Sequence, residues 1–291
     1  MRERLISSVG VVMVGIIPTV MGGPVFATML FLLCLIGYRE YLSLAGLIGT
    51  RPIASGYLVL LLFALLPFFG WSACGLLGAG ALAIGLPLAI AIRRASYQDQ
   101  GVIIDWALSS AGTLYLGIPL ASGISMRLEP GQVTREWLSE LASLSSLSWG
   151  AAPRGLAWTL TLILLTWLGD TGAFLIGRRW GKHLLSPAIS PKKTVEGAIG
   201  GMLASALTAA LAVYVFGLDV SPLLGAIIGA IVGLLGQAGD LAESLMKRQA
   251  GVKDSGTFIR GHGGVLDRID ALLVTLTAGW YMSLAIDRWF T

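Results

Sequence analysis

A succession of long, unbroken apolar segments constrains this chain more than any other feature. Nine candidate spans can be read, at about 5–21, 24–38, 55–70, 73–92, 104–126, 155–177, 195–216, 221–245 and 266–287. A helix needs ~20 residues to cross ~30 Å of hydrocarbon, and most of these segments approach that length. The second is short and flanked by glycine. The runs are continuous rather than alternating, so helices are predicted and strands are not. The chain is 55% hydrophobic and only 12% charged, against roughly 25% charged in soluble domains. The expected fold is therefore all-α: a polytopic transmembrane helical protein. Arg2 and Arg4 precede the first apolar run as in a signal peptide, but no small-x-small site ends that run, and an uncleaved first helix is expected.

Nine spans make a prediction about the loops. Sixteen of the 20 Lys and Arg residues then fall on one side: Arg2, Arg4, Arg39, Arg51, Arg93, Arg94, Arg178, Arg179, Lys182, Lys192, Lys193, Lys247, Arg248, Lys253, Arg260 and Arg268. Arg127, Arg135, Arg154 and Arg288 fall on the other. Basic residues stay cytoplasmic, so the N-terminus is expected inside and the C-terminus outside a cell (inner) membrane. No nucleic-acid partner is expected; the surroundings are membrane lipid.

The longest outer segment, about 127–154, carries Trp137, Leu138, Leu141, Leu144 and Leu147 at helical spacing, with Thr134 placed to cap a short interfacial helix. Gly225, Gly229 and Gly233 form a flat stripe suited to close helix packing. Cys34 and Cys74 lie in apolar runs and read as small buried side chains. Ionisable residues are unevenly spread. Residues 1–150 form five nearly charge-free spans, an expected N-terminal scaffold. Residues 151–291 form four spans whose inner ends are crowded with charge, an expected catalytic region.

Three stretches carry the chemistry. Asp170, in Trp167-Leu168-Gly169-Asp170-Thr171-Gly172, lies inside the sixth span. A carboxylate there costs on the order of 3 kcal/mol unless paired, which makes it a functional candidate beside the plainer reading of a buried ion pair. Ser190-Pro191-Lys192-Lys193-Thr194-Val195-Glu196-Gly197 enters the seventh span. Ser190 suits an N-cap and Pro191 the first helical position. Lys192 and Lys193 would then oppose the helix dipole, a conflict that a bound phosphate relieves; a headgroup anchor is the alternative.

The third stretch runs from Gln237 to Asp270. Asp240, Ser244 and Lys247 share a helical face, with Glu243 beside them. A glycine-rich loop follows, and Asp267 and Asp270 open the ninth span. Carboxylates from different helices, with basic side chains and glycine backbone between them, suit Mg²⁺ held jointly with substrate phosphates. Two histidines in all, and no cysteine nearby, argue against zinc. His262 is read as a phosphate contact or a loop anchor, His183 as an interfacial residue. Gly177 to His183 only echoes a P-loop, with a short spacer and no Ser/Thr after Lys182. No Gly-x-Ser-x-Gly elbow is present.

The run Ser-x-x-Lys-Arg-x(4)-Lys-Asp-x-Gly-x(3)-Arg-Gly-His-Gly-Gly-x-x-Asp-Arg-x-Asp, from Ser244 to Asp270, closely resembles the signature of the phosphatidate cytidylyltransferases (CDP-diacylglycerol synthases). The Ser190–Gly197 and Asp170 stretches resemble that family too; Arg260 stands where it often has proline. The resemblance implies transfer of a cytidylyl group from CTP to phosphatidate, with CDP-diacylglycerol and pyrophosphate as products. It implies Mg²⁺, with K⁺ as a monovalent companion, and a homodimer. By matching position Asp240 and Asp267 are the implied metal ligands, and Asp170 is a third candidate. Catalytic roles are expected at Asp240, Ser244, Lys247 and Asp267. Substrate contacts are expected at Lys192, Lys193, Thr194, Arg248, Lys253, His262, Gly263 and Arg268. Two other readings compete: an ion-coupled transporter, which predicts an inverted repeat that is not seen, and a polyprenol or lipid kinase, which would transfer a γ-phosphate.

Overall fold

In hydrocarbon a backbone must bond to itself, so the apolar runs become helices. The computed structural model describes residues 13–70, 73–95, 101–143, 152–258 and 263–290. Its helices are α1 (residues 13–21), α2 (Gly23–Leu47), α3 (Gly56–Leu65) with a 3₁₀ turn at Leu66–Phe69, α4 (Ala73–Arg94), α5 (Val102–Arg127), α6 (Glu136–Ser143), α7 (Pro153–Trp180), α8 (Val195–Phe216), α9 (Pro222–Gln249) and α10 (Leu266–Phe290). A two-stranded antiparallel hairpin, β1 (Leu184–Ser186) and β2 (Ser190–Thr194), separates α7 from α8.

Seven of the described helices (α2, α4, α5, α7, α8, α9 and α10) are long and apolar enough to cross a bilayer. The segment Gly56–Phe69 is shorter, and the start of the first expected span lies outside the described residues. The molecule is thus a polytopic helical membrane protein. Large side chains such as Leu58, Leu77, Leu203 and Leu223 stay exposed on helix faces, as they do where the solvent is lipid.

Ion pairs and hydrogen bonds gather the charged helix ends into two groups. At one end Arg154 of α7 pairs with Asp287 of α10 and, at 3.6 Å, with Glu129 after α5. The Thr134 N–H donates to the Gly217 carbonyl at 2.9 Å, and Arg127 Nε donates to the Thr19 carbonyl at 2.8 Å. At the other end lie the hairpin, the C-termini of α2, α7 and α9, and the N-termini of α5, α8 and α10.

Several expectations need correction. The second span is not short: α2 has 25 residues and runs through Arg39 and Glu40. Tyr38, Glu40 and Tyr41 are buried there, with Tyr38 Oη bonded to Thr113 Oγ1 at 3.2 Å and Tyr41 Oη donating to the Leu108 carbonyl at 3.0 Å. The interfacial helix exists as α6, with Leu138 buried and Trp137 against Phe216, ring centroids 6.1 Å apart. Thr134 does not cap it, because its backbone and hydroxyl both donate to Gly217. Leu144 and Leu147 lie outside the described residues.

Ser190 and Pro191 do not start a helix. They belong to β2, and the N-cap of α8 is Thr194, whose Oγ1 accepts from the Gly197 N–H at 3.1 Å. The glycine stripe of α9 does pack closely: Gly225, Gly229 and Gly233 face Ala209, Ser205 and their neighbours on α8, where an added Cβ would overlap them.

Candidate active site

The hairpin is shaped by a carboxylate at the start of α8. Glu196 accepts from the Lys182 and His183 N–H groups at 3.0 and 3.2 Å, and lies 2.6 Å from His183 Nδ1. The Val195 N–H donates back to the His183 carbonyl at 2.8 Å. These bonds hold residues 182–194 as an out-and-back loop, so Lys192 and Lys193 sit on an extended strand and escape the dipole conflict of a first helical turn. At the turn, Arg248 from the end of α9 donates through Nε to the Ile189 carbonyl and through Nη1 to the Val252 carbonyl, both at 3.2 Å.

Beneath the hairpin lies a cavity of about 480 Å³. Its polar lining is Asp170 and Arg178 from α7, Lys192, Lys193 and Thr194 from β2, and Gln237 and Asp240 from α9. Lys193 Nζ forms an ion pair with Asp240. Asp170, Asp240 and Asp270 lie within electrostatic reach of one another. Gln237, one turn before Asp240, donates to the Ala198 carbonyl at 3.1 Å and ties α9 to α8.

A second cluster sits where α9 meets α10. Lys247 Nζ pairs with the fully buried Glu243 and, at 2.5 Å, with Asp267 Oδ1. Asp267 Oδ2 accepts from the Ser255 N–H at 2.8 Å, the Ser255 hydroxyl at 2.9 Å and the Gly264 N–H at 2.7 Å. Asp270 is nearly buried, and its Oδ1 accepts from the Ala271 N–H.

The expected residues therefore divide. Asp170, Lys192, Lys193, Thr194 and Asp240 line one cavity, whereas Lys247 and Asp267 belong to the neighbouring cluster. Ser244 is half-buried on α9, and Lys253 is exposed on the following loop. Gly263 takes φ +82°, a conformation that favours glycine. His262 lies outside the described residues, as does Arg260. Arg268 is exposed and lines a different, apolar cavity of about 420 Å³ with Phe26, Leu30, Trp167, Leu272 and Leu276.

Among the described residues, no three His, Cys, Asp or Glu side chains form a ready metal-binding group. Sequence reasoning passed over Arg178 and Gln237 as lining residues. It also passed over Glu40 of α2, whose buried carboxylate reaches the loop before α10. The signal for Glu40 was an acid inside an apolar run.

Cations from the hairpin and α7, facing carboxylates from α7 and α9 around one cavity in a helical membrane protein, define a site suited to phosphate-bearing ligands. The chain belongs to the cytidylyltransferase family, whose sequence profile matches residues 2–285. It is 33% identical over 288 residues to a phosphatidate cytidylyltransferase of Synechocystis sp., covering 96% of this chain and 95% of that relative. Phosphatidate cytidylyltransferases of Staphylococcus aureus and Staphylococcus saprophyticus share 48% identity over 124 residues and 46% over 122, each covering 42% of this chain and 47% of the relative.

Proposed function

We propose that this protein transfers a cytidylyl group from CTP to phosphatidate, yielding CDP-diacylglycerol and pyrophosphate. The observation that carries the proposal is end-to-end similarity to a phosphatidate cytidylyltransferase, joined to a cavity that mixes lysines, an arginine and carboxylates. A phosphate oxygen of phosphatidate attacks the α-phosphorus of CTP, and the bond from that phosphorus to the bridging β-oxygen breaks. The nucleophile is already anionic and needs little base help; the obstacle is repulsion between two anions. Lys192, Lys193 and Arg178 answer it by holding the triphosphate and Arg248 adds positive charge at the hairpin turn, while Lys247 holds Asp267 in the neighbouring cluster.

The donor set fits Mg²⁺; K⁺ is the companion that the family resemblance implies. Asp170 and Asp240 face the same cavity as the lysines, and Mg²⁺ takes one or two carboxylates together with substrate phosphates. When bound, the ion supplies charge that neutralises the departing pyrophosphate. Asp267 Oδ2 accepts from three donors, so Asp267 would join such a set through Oδ1, which among the described residues accepts only from Lys247. The apolar cavity beneath Arg268 suits an acyl chain, with the guanidinium at the phosphate. The 16-to-4 split of basic residues supports a cytoplasm-facing site in a cell membrane. A homodimer is part of the same reading.

The test uses purified protein in detergent micelles with CTP, phosphatidate and Mg²⁺. The expected products are pyrophosphate and CDP-diacylglycerol in equal amounts. Release of a nucleoside diphosphate would establish a lipid kinase instead, and no turnover with any nucleotide would favour a transporter.

A further inference from the structure

Glu40 lies on α2, far in sequence from every residue assigned above, yet its carboxylate ends at the loop that leads into α10 and Asp267. Its Oε1 accepts from the Val265 N–H at 3.0 Å, and its Oε2 accepts from the Leu266 N–H at 2.8 Å. These are amides at the start of α10, where a carboxylate meets the positive end of the helix. Oε2 also lies 2.9 Å from the Ser255 hydroxyl, which is 2.9 Å from Asp267 Oδ2 as well. One hydroxyl carries one proton, so Ser255 shares a single donor between the two carboxylates.

The loop is fitted to Glu40 on both flanks. A Cβ at Gly264 would strike Glu40 Oε2 and Ser255 Oγ, and one at Gly256 would meet the same carboxylate. Two glycines of the signature run are thus required by a residue outside it.

We infer that Glu40 is a positioning residue for the reaction, setting the Asp267 carboxylate through Ser255 and the first amides of α10. The inference rests on the proposed role of Asp267. A residue that only capped α10 would be replaceable by any side chain that accepts the two N–H bonds. Glutamine has one carbonyl for two amides held by two different oxygens, so Glu40→Gln leaves either the Val265 or the Leu266 N–H facing an amide and lowers stability. Stability and positioning separate instead in Ser255→Ala, which breaks the hydroxyl link between the two carboxylates and leaves both amide bonds to Glu40 in place.

The experiment compares wild type, Ser255→Ala, Glu40→Gln, Asp267→Asn and the Glu40→Gln/Asp267→Asn double variant in micelles, measuring thermal unfolding, kcat per folded protein and KM for CTP. Ser255→Ala is expected to unfold near the wild-type temperature, and Ser255→Ala and Glu40→Gln are each expected to lose at least about tenfold in kcat while keeping KM for CTP within about threefold. The double variant is expected to be no slower than Asp267→Asn alone, as for residues acting through one another. A smaller fall in kcat for Ser255→Ala or Glu40→Gln, a loss that tracks KM or folded fraction, or additive losses in the double variant would overturn the positioning role while leaving the site reading intact. Wild-type turnover in Asp267→Asn would overturn the site reading, and the role of Glu40 with it.

Discussion

Lys247 stands between two carboxylates, one of them with no exposed surface, so its charge is structural before it is chemical. Removing one partner of a buried ion pair costs about 3–5 kcal/mol, because the other charge stays behind unpaired. Lys247→Met should therefore lower the unfolding temperature in detergent as well as abolish turnover. Adding Glu243→Gln to Lys247→Met should restore part of the stability without restoring activity. Asp240 is a different case. It is half-buried at a cavity wall and its partner Lys193 lines the same cavity and is partly exposed, so Asp240→Asn should leave the fold intact and nearly abolish CTP incorporation. The acids at 240 and 267 were legible in the sequence because they fall in a dense charged run. Glu40 carried only the signal of an acid in an apolar run, which does not name its partner, because that partner is a loop more than 200 residues away.

At the scale of elements, legibility follows the range of the forces involved. The helices were read from local apolar continuity, and the boundaries of α5, α7, α8, α9 and α10 fall close to those expected. The hairpin was misread because Ser190-Pro191 is a good local helix start, and what defeats it is Glu196 reaching back to residues 182 and 183. That contact makes a prediction. Glu196→Gln keeps one acceptor oxygen but loses the charge that strengthens its bonds to the Lys182 and His183 N–H groups and to the His183 ring. The hairpin should loosen while the helices hold. KM for CTP should then rise severalfold with kcat less affected, because Lys192 and Lys193 ride on β2. An equal fall in kcat with unchanged KM would place the hairpin's role in the chemical step rather than in holding nucleotide.

For the whole molecule, the strongest consequence of the sequence is topological. Contacts gather the hairpin and the N-terminus of α10 at one end of the bundle and the α8–α9 turn with the C-terminus of α10 at the other. The basic residues among the described ones follow the same division, and the proposed orientation puts the basic end in the cytoplasm. Ala188 in the hairpin turn and Asp219 in the α8–α9 turn are both exposed, and they mark the two ends. Cys34 is buried and can be left in place, while Cys74 is replaced by serine. In sealed, right-side-out vesicles a membrane-impermeant maleimide should label Asp219→Cys and spare Ala188→Cys. In inside-out vesicles the pattern should reverse. Labelling of both sites from one side would break the alternation of spans that the charge distribution requires. Reversed sidedness would preserve the bundle but turn the cavity outward, away from any cytoplasmic pool of CTP, and so would count against the proposed reaction as well as the orientation.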